Sequence, residues 1–321
     1  MRAAARIAWL AAVAAVAAAG GCADPPEPAA SFPPDRGEPA FREIGLPPAF
    51  AEALAAAGLE ARALDRSGDA WALAEIASDS GSFDVQWADL GRVVVGQVLG
   101  PEAQPGRRGL YHPSAPSPSF DLLGSDAVVR QAGDALAVMN GAFFETPGEP
   151  SSEIAFPLAL DGTVVTGGRS PYGPGRPGAH RRRWGRPLRA LGLDTRVHVA
   201  DYGRQTGVPL GQPGFENAVV SYAPEAHPTT LATRFHVLGA VDADGDGALE
   251  TLVVVTSDGQ TRIAAAAALA ARLGAGPDTQ IALDGGASVL LWTLRAGFRH
   301  QPVPIGGRPQ PLPHYLTLTL R

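Results

Sequence analysis

The stretch "LETLVVVTSDGQTRIAAAAALAARLGAGPDTQIALDGGAS", Leu249 to Ser288, decides the fold. The run Leu252–Thr256 is apolar and β-branched, which predicts a strand, and "SDGQ" supplies a turn. Thr261 offers a cap for a helix over Arg262–Leu273, Gly274 ends it, and Gln280–Leu283 is a second strand. If both strands share a sheet, the crossover makes them parallel and opens their carboxyl ends on one side. Asp258 and Asp284 would then share a rim, with the helix N-terminus near Thr261 facing it and suiting an anion.

Asp284 follows buried apolar residues and precedes Gly285 and Gly286. Asp and Gly together suit a turn. They also let a substrate approach the backbone while a carboxylate faces it, and that makes Asp284 the leading site candidate. Upstream, "SDAVVRQAGDALAVMNGAFFE" predicts a short helix capped by Ser125 and ended by Gly133, then a buried strand over Ala135–Met139 that runs into Asn140-Gly141. Asn140 thus repeats the theme of a polar residue at a strand end, and Phe143 and Phe144 behind it are either core or the wall of a sugar site. In "LATRFHVLGAV", Arg234 reads as one arginine inside an apolar strand, where a guanidinium needs a carboxylate or a bound anion.

Around these segments the pattern is that of an α+β body, a mixed, twisted β-sheet with a few flanking helices. A short helix is expected over Pro47–Ala57, strands over Ala70–Ile76 and Arg92–Leu99, a hairpin turning at Asp161-Gly162, and a last strand at "HYLTLTLR". The acidic "DADGDGALE", Asp242–Glu250, imitates a calcium loop, but the position of its closing acid is Val253. It reads as a hairpin turn, with Asp242, Asp244 and Asp246 as a weak structural calcium candidate; no other cofactor is expected.

The chain has 321 residues, 45% of them hydrophobic, a formal charge of −6 and 26 cations that are all arginine. That balance gives no sign of a nucleic-acid partner. Residues 1–22 have the layout of an export signal: Arg2 and Arg6, an apolar stretch Ile7–Ala19, then Gly20-Gly21-Cys22. The stretch is shorter than the roughly 20 residues of a bilayer span. Small residues before Cys22 resemble a bacterial lipoprotein cleavage site, so Cys22 is the expected lipidation site and the anchor the expected membrane contact. As the single cysteine of the chain, it leaves no thiol for disulfides or catalysis. Residues 23–40, rich in Pro and Ala, read as a tether, and residues 41–321 as one domain. Ser288 lacks the Gly-x-Ser-x-Gly frame of a serine hydrolase, and the seven histidines lack zinc-ligand spacing.

Taken together, "LAVMNGAFFE", "ATRFHVLGAVDADGDGALETLVVV" and "TQIALDGGASVLL" resemble the phosphodiester glycosidase family in order and spacing, over roughly residues 85–321. The resemblance places Asn140, Arg234, Asp284, Gly285, Gly286 and Ser288 on active-site positions. Ala287 and Phe235 depart from the family pattern. The resemblance implies hydrolysis of a sugar-1-phosphodiester, a reaction in which two carboxyl groups usually share the work. Asp284 is then the carboxylate at the anomeric carbon, Glu145 the second one, and Asn140 the holder of a sugar hydroxyl or acetamido group. Arg234 and the helix end near Thr261 would clamp the phosphate. Asp258 and Phe144 complete the candidate binding residues, and a carbohydrate or sugar phosphate is the expected partner. The rival expectations are a non-catalytic envelope lipoprotein that binds glycans or assists exopolysaccharide assembly, and a calcium-dependent adhesion module.

Overall fold

The computed structural model describes residues 44–107, 117–144, 151–165, 187–194, 196–202, 210–227, 231–259, 261–305 and 307–321. All of these belong to Glu43–Arg321, a unit separate from Met1–Arg42. Cys22, the tether and Glu145 lie outside the described residues.

Among the described residues the α-helices are α1 (Pro48–Ala56), α2 (Ser125–Ala132) and α3 (Ile263–Arg272). The principal strands are β1 (Ala61–Ser67), β2 (Trp71–Ser78), β3 (Gly81–Asp89), β4 (Val93–Leu99), β5 (Ala137–Asn140), β6 (Leu188–Leu193) and β7 (Val197–Tyr202). They continue with β8 (Ala218–Tyr222), β9 (His236–Val241), β10 (Thr251–Ser257), β11 (Gln280–Ala282), β12 (Leu291–Thr293), β13 (Gly297–His300) and β14 (His314–Leu320).

One sheet runs β1-β2-β3-β10-β9-β11-β8-β6-β7, and a second runs β13-β12-β5-β14-β4. The body is therefore predominantly β, and the pairings among the described residues are antiparallel rather than mixed. The strand–helix–strand unit is present in the form its sequence dictates. β10 and β11 are each antiparallel to β9, which lies between them, so they run parallel to one another with their carboxyl ends on one side.

Alternation explains how the sheet is covered. Val253 and Val255 of β10 pack with Val85, Val237, Phe50 of α1 and Leu269 of α3, whereas Leu252 and Val254 pack with Leu238 and with Met139, Leu291 and Leu316 of the second sheet. Both faces are buried, and for that reason the strand reads as an unbroken apolar run. Fully burying each such side chain contributes roughly 1.5–3 kcal/mol. α2 lies elsewhere, with Val128 packed on Val138, Leu290 and Tyr315.

The hairpin at Asp161-Gly162 joins Leu158–Leu160 to Thr163–Val164, with φ of 48° and 77° at its two turn residues. Both lie in the left-handed region a two-residue turn of this hand requires. Two capping expectations fail. Ser125 is the first helical residue of α2 rather than its cap, and α3 is preceded by Arg262 with no side-chain cap, so Thr261 does not cap it. Arg234 also lies outside the strand: β9 begins at His236, and the arginine sits in the approach to it.

Candidate functional site

Four segments meet at the carboxyl ends of β10 and β11. Asp284, two residues past the end of β11, donates its backbone N–H to the carbonyl of Gly141 (3.2 Å), just past the end of β5. The Asn140 amide bridges both ends of the adjoining loop. Its Nδ2 donates to the Asp284 carbonyl (2.7 Å), and its Oδ1 accepts from Leu290 N–H (2.8 Å). Gly286 N–H donates to the Arg234 carbonyl (2.9 Å), which ties the same loop to the approach of β9.

The glycines answer to these approaches. A Cβ on Gly285 would stand 2.8 Å from the Arg234 carbonyl oxygen and 3.0 Å from Cδ1 of Phe235; one on Gly141 would stand 2.0 Å from Nδ1 of His314. The turn at Asp258-Gly259 belongs to the same rim. A Cβ on Gly259 would come within 2.9 Å of Cγ of Arg234, and Ser257 Oγ donates to the Thr233 carbonyl at 3.1 Å.

Two buried histidines lock this arrangement. His236 Nε2 lies 2.9 Å from the Leu290 carbonyl, which only accepts, so Nε2 carries the proton and Nδ1 accepts from the Thr256 hydroxyl at 2.8 Å. Burial pushes its pKa down to about 3, the charges of His300 and Arg234 adding to this against the Leu290 carbonyl. His314 accepts the Ala142 N–H on Nδ1 (2.9 Å) and donates from Nε2 to Gln97 Oε1 (3.1 Å); burial lowers its pKa to about 3 as well. Both rings are neutral struts, His236 joining Thr256 to the Leu290 carbonyl and His314 joining Ala142 to Gln97.

Asp284 itself is half-buried, yet its carboxyl is enclosed enough for desolvation to govern it. Burial pushes its pKa up to about 7, while the Ser288 hydroxyl and the Gly285 N–H, 3.0 Å from Oδ1, pull it back. The Arg234 guanidinium donates through Nη1 to the Gln301 carbonyl (2.8 Å), and burial alone shifts its pKa, downward. Among the described residues it has no carboxylate partner. Arg234 therefore does not meet the structural acid that a buried guanidinium usually requires.

Of the other expected residues, Asp258 turns toward the β2–β3 hairpin, where its Oδ2 accepts Ser82 N–H at 3.4 Å. Thr261 is buried against Gly81, whose Cβ would fall 2.3 Å from Cγ2 of Thr261, so its side chain does not offer the helix end to a ligand. Phe144 is core, packed with Val128, Leu290 and Tyr315. Its neighbour Phe143 is the partly exposed one and stands edge-on to Tyr222 (5.5 Å) beside His227 and Phe235.

The acidic loop forms at the far end of β9. Asp242, Asp244, Asp246 and Glu250 bring carboxylate oxygens within 4.8 Å of one another. Those carboxylates accept main-chain N–H groups of the loop itself, as Asp242 does from Gly245 (2.7 Å) and Gly247 (2.9 Å), so they build the turn.

Sequence reasoning overlooked a polar row across the first sheet. Register places Arg62, Glu75, Asp84, Thr256 and His236 directly opposite one another on five neighbouring strands, their side chains on one face. Asp84 accepts a fork from Arg299 and a bond from His300, both on β13 of the other sheet. The signal was available in "SFDVQWAD": Phe83, Val85 and Trp87 alternate with Asp84 and Gln86, which predicts a strand carrying polar groups on an inner face.

No family model and no curated protein matches the chain. Among solved structures, it is similar to the catalytic domain of zebrafish N-acetylglucosamine-1-phosphodiester α-N-acetylglucosaminidase, auto-inhibited by its pro-peptide. The identity is 15% and the TM-score 0.47, over 82% of this chain and 88% of that one. It is also similar to a protein of Burkholderia pseudomallei K96243 described as exported, at 14% identity and a TM-score of 0.45, over 77% of this chain and 74% of that one. Both likenesses are distant and concern the fold. Among the described residues, no helix is long and apolar enough to cross a membrane.

Proposed function

We propose that the protein is an exported hydrolase, lipid-anchored at Cys22, that splits a sugar-1-phosphodiester bond in a cell-envelope or extracellular glycan. The observation that supports this reading is a main-chain tie, Gly286 N–H to the Arg234 carbonyl at 2.9 Å, that brings the loop of a carboxyl held near neutrality to the segment of a guanidinium with no carboxylate partner among the described residues. A carboxyl with a pKa of about 7 changes charge in the range where a nucleophile or general base works. A guanidinium bonded to a neutral carbonyl keeps further donors for an anionic leaving group.

In this reading Asp284, once ionised, attacks the anomeric carbon or takes the proton of the attacking water. The C–O bond to phosphate breaks through an oxocarbenium-like state, and the bridging oxygen leaves with the phosphate. A phosphate leaves readily, so clamping its charge through Arg234 matters more than protonating it. Asn140 contributes by fixing the loop on which Asp284 rides, since both ends of its amide hold main chain. Glu145 is retained as the proposed second carboxylate. The reaction calls for no cofactor.

The test is incubation of the purified protein with a panel of sugar-1-phosphodiesters, reading the release of reducing sugar and phosphomonoester. Asp284→Asn should lower the rate by about a hundredfold or more. Equal rates for the two proteins would remove Asp284 from the reaction. Calorimetric binding of surface polysaccharide with no product formed would point instead to the glycan-binding lipoprotein.

A further inference from the structure

β13 carries a cluster of basic side chains around one acid, and the segment after it joins the Asp284 loop, since Val303 N–H donates to the Ala287 carbonyl at 2.8 Å. Asp84, only 4% exposed, is the one carboxylate shared by Arg299 (Nε to Oδ2 3.0 Å, Nη2 to Oδ1 2.9 Å) and His300 (Nε2 to Oδ2 3.1 Å). Burial works to raise its pKa, but the bonds and charges of His300 and Arg299 outweigh this and hold it low, so it stays ionised. The residue after His300, Gln301, accepts the Arg234 guanidinium on its carbonyl. His300 and Arg234 thus flank the same chain segment, and both charges act on the buried His236 between them. With Nε2 engaged by Asp84, His300 has Nδ1 left over, a donor when the ring carries its second proton, and its side chain keeps 14% of its surface.

We infer that His300, oriented by Asp84, and Arg234 together form a subsite for a tetrahedral oxyanion, the phosphate of the substrate. The inference deepens the hydrolase reading and rests on it for the identity of the ligand. Asp84 is a positioning residue in this scheme. It fixes the ring through Nε2, so that in the imidazolium form Nδ1–H meets one anionic oxygen while Arg234 meets another.

The groups that face His300 set the pH behaviour. Asp84 on β3 is ionised, His236 on β9 is neutral above about pH 3, and Arg299 and Arg234 keep their charge. Glu75, opposite Asp84 on β2, is engaged by Arg62 and by the Ser82 hydroxyl at 3.4 Å. Asp284 titrates at about 7 and repels an anion once ionised. Removing its charge isolates His300.

The experiment is calorimetric titration with inorganic sulfate, whose charge is constant from pH 5.5 to 8, in the Asp284→Asn background. Sulfate should bind roughly ten- to hundredfold more tightly at the acid end. His300→Gln should flatten that dependence, and Arg234→Gln should weaken binding at both pH values. An unchanged pH slope in His300→Gln, or unchanged affinity in Arg234→Gln, overturns the inference. In the unmodified protein, an NMR titration gives the same answer without a substitution: sulfate should raise the pKa of the His300 ring, and an unmoved pKa overturns the inference. Sulfate is not hydrolysed, so a protein that binds it this way yet cleaves no phosphodiester contradicts the hydrolase reading alone.

Discussion

Replacing Asp284 by Asn should make the protein more stable, and more so as pH rises. Burial raises this carboxyl from its ordinary value to about 7, so the folded state holds a proton that the unfolded chain has already released. A group of this kind contributes fully below its unfolded pKa, and that contribution is lost as pH climbs through the folded one. The difference between pH 5 and pH 8.5 is on the order of 3 kcal/mol from the linkage relation. This is an upper bound, because Asp284 is only half-buried and solvent reaching it weakens the penalty. Asn keeps an oxygen for the Gly285 N–H and the Ser288 hydroxyl while carrying no charge. Urea unfolding of both proteins at the two pH values reads the effect. Stabilisation by Asp284→Asn that grows toward pH 8.5 supports the assignment. A variant that is destabilised, or shifted equally at both pH values, would refute the claim that this carboxyl is held against its own ionisation.

The same geometry fixes other outcomes. At saturating phosphodiester, where weaker phosphate binding does not enter, kcat should rise with pH through about 7 because the ionised form of Asp284 does the work; a kcat that falls over pH 6–8 contradicts that role. His236 and His314, both lowered to about 3, have the opposite linkage. Their stabilisation is present above the ordinary histidine pKa and is lost as pH falls toward 3, so His314→Gln should blunt acid unfolding followed by circular dichroism. Gly141→Ala drives a methyl into the His314 ring and should destabilise by about 1–3 kcal/mol, read as a lowered urea midpoint. Asn140→Ala strips partners from Asp284 and Leu290 and should cost about 1–3 kcal/mol, where a merely ligand-facing amide would cost almost nothing.

What the sequence made legible was whatever local pattern controls. The strand–helix–strand unit, the Asp161-Gly162 hairpin and the last strand each show periodicity and turn chemistry within a few residues. β3 is hard to read because its second buried face carries Asp84 and Gln86, and their partners Arg299, His300 and Trp71 lie elsewhere in the chain. Asp284, Gly285 and Arg234 stood out as chemistry out of place in an apolar context, and their segments do meet. Asn140 stood out too, but sequence cannot tell an amide aimed at a ligand from one holding main chain 144 and 150 residues away. His236 gave no signal, since a lone histidine in an apolar strand looks the same whether it is a strut or a ligand. The parallel relation of β10 and β11 was readable; the antiparallel strand inserted between them was not, because nothing local to β9 specifies its neighbours.

The most direct measurement is a crystal structure of the Asp284→Asn protein soaked with a sugar-1-phosphate. Phosphate oxygens should lie against Arg234 and His300, with the anomeric carbon within reach of residue 284. A sugar phosphate lodged elsewhere, or this loop closed over residue 284 with no room for a ligand, would contradict the proposed chemistry.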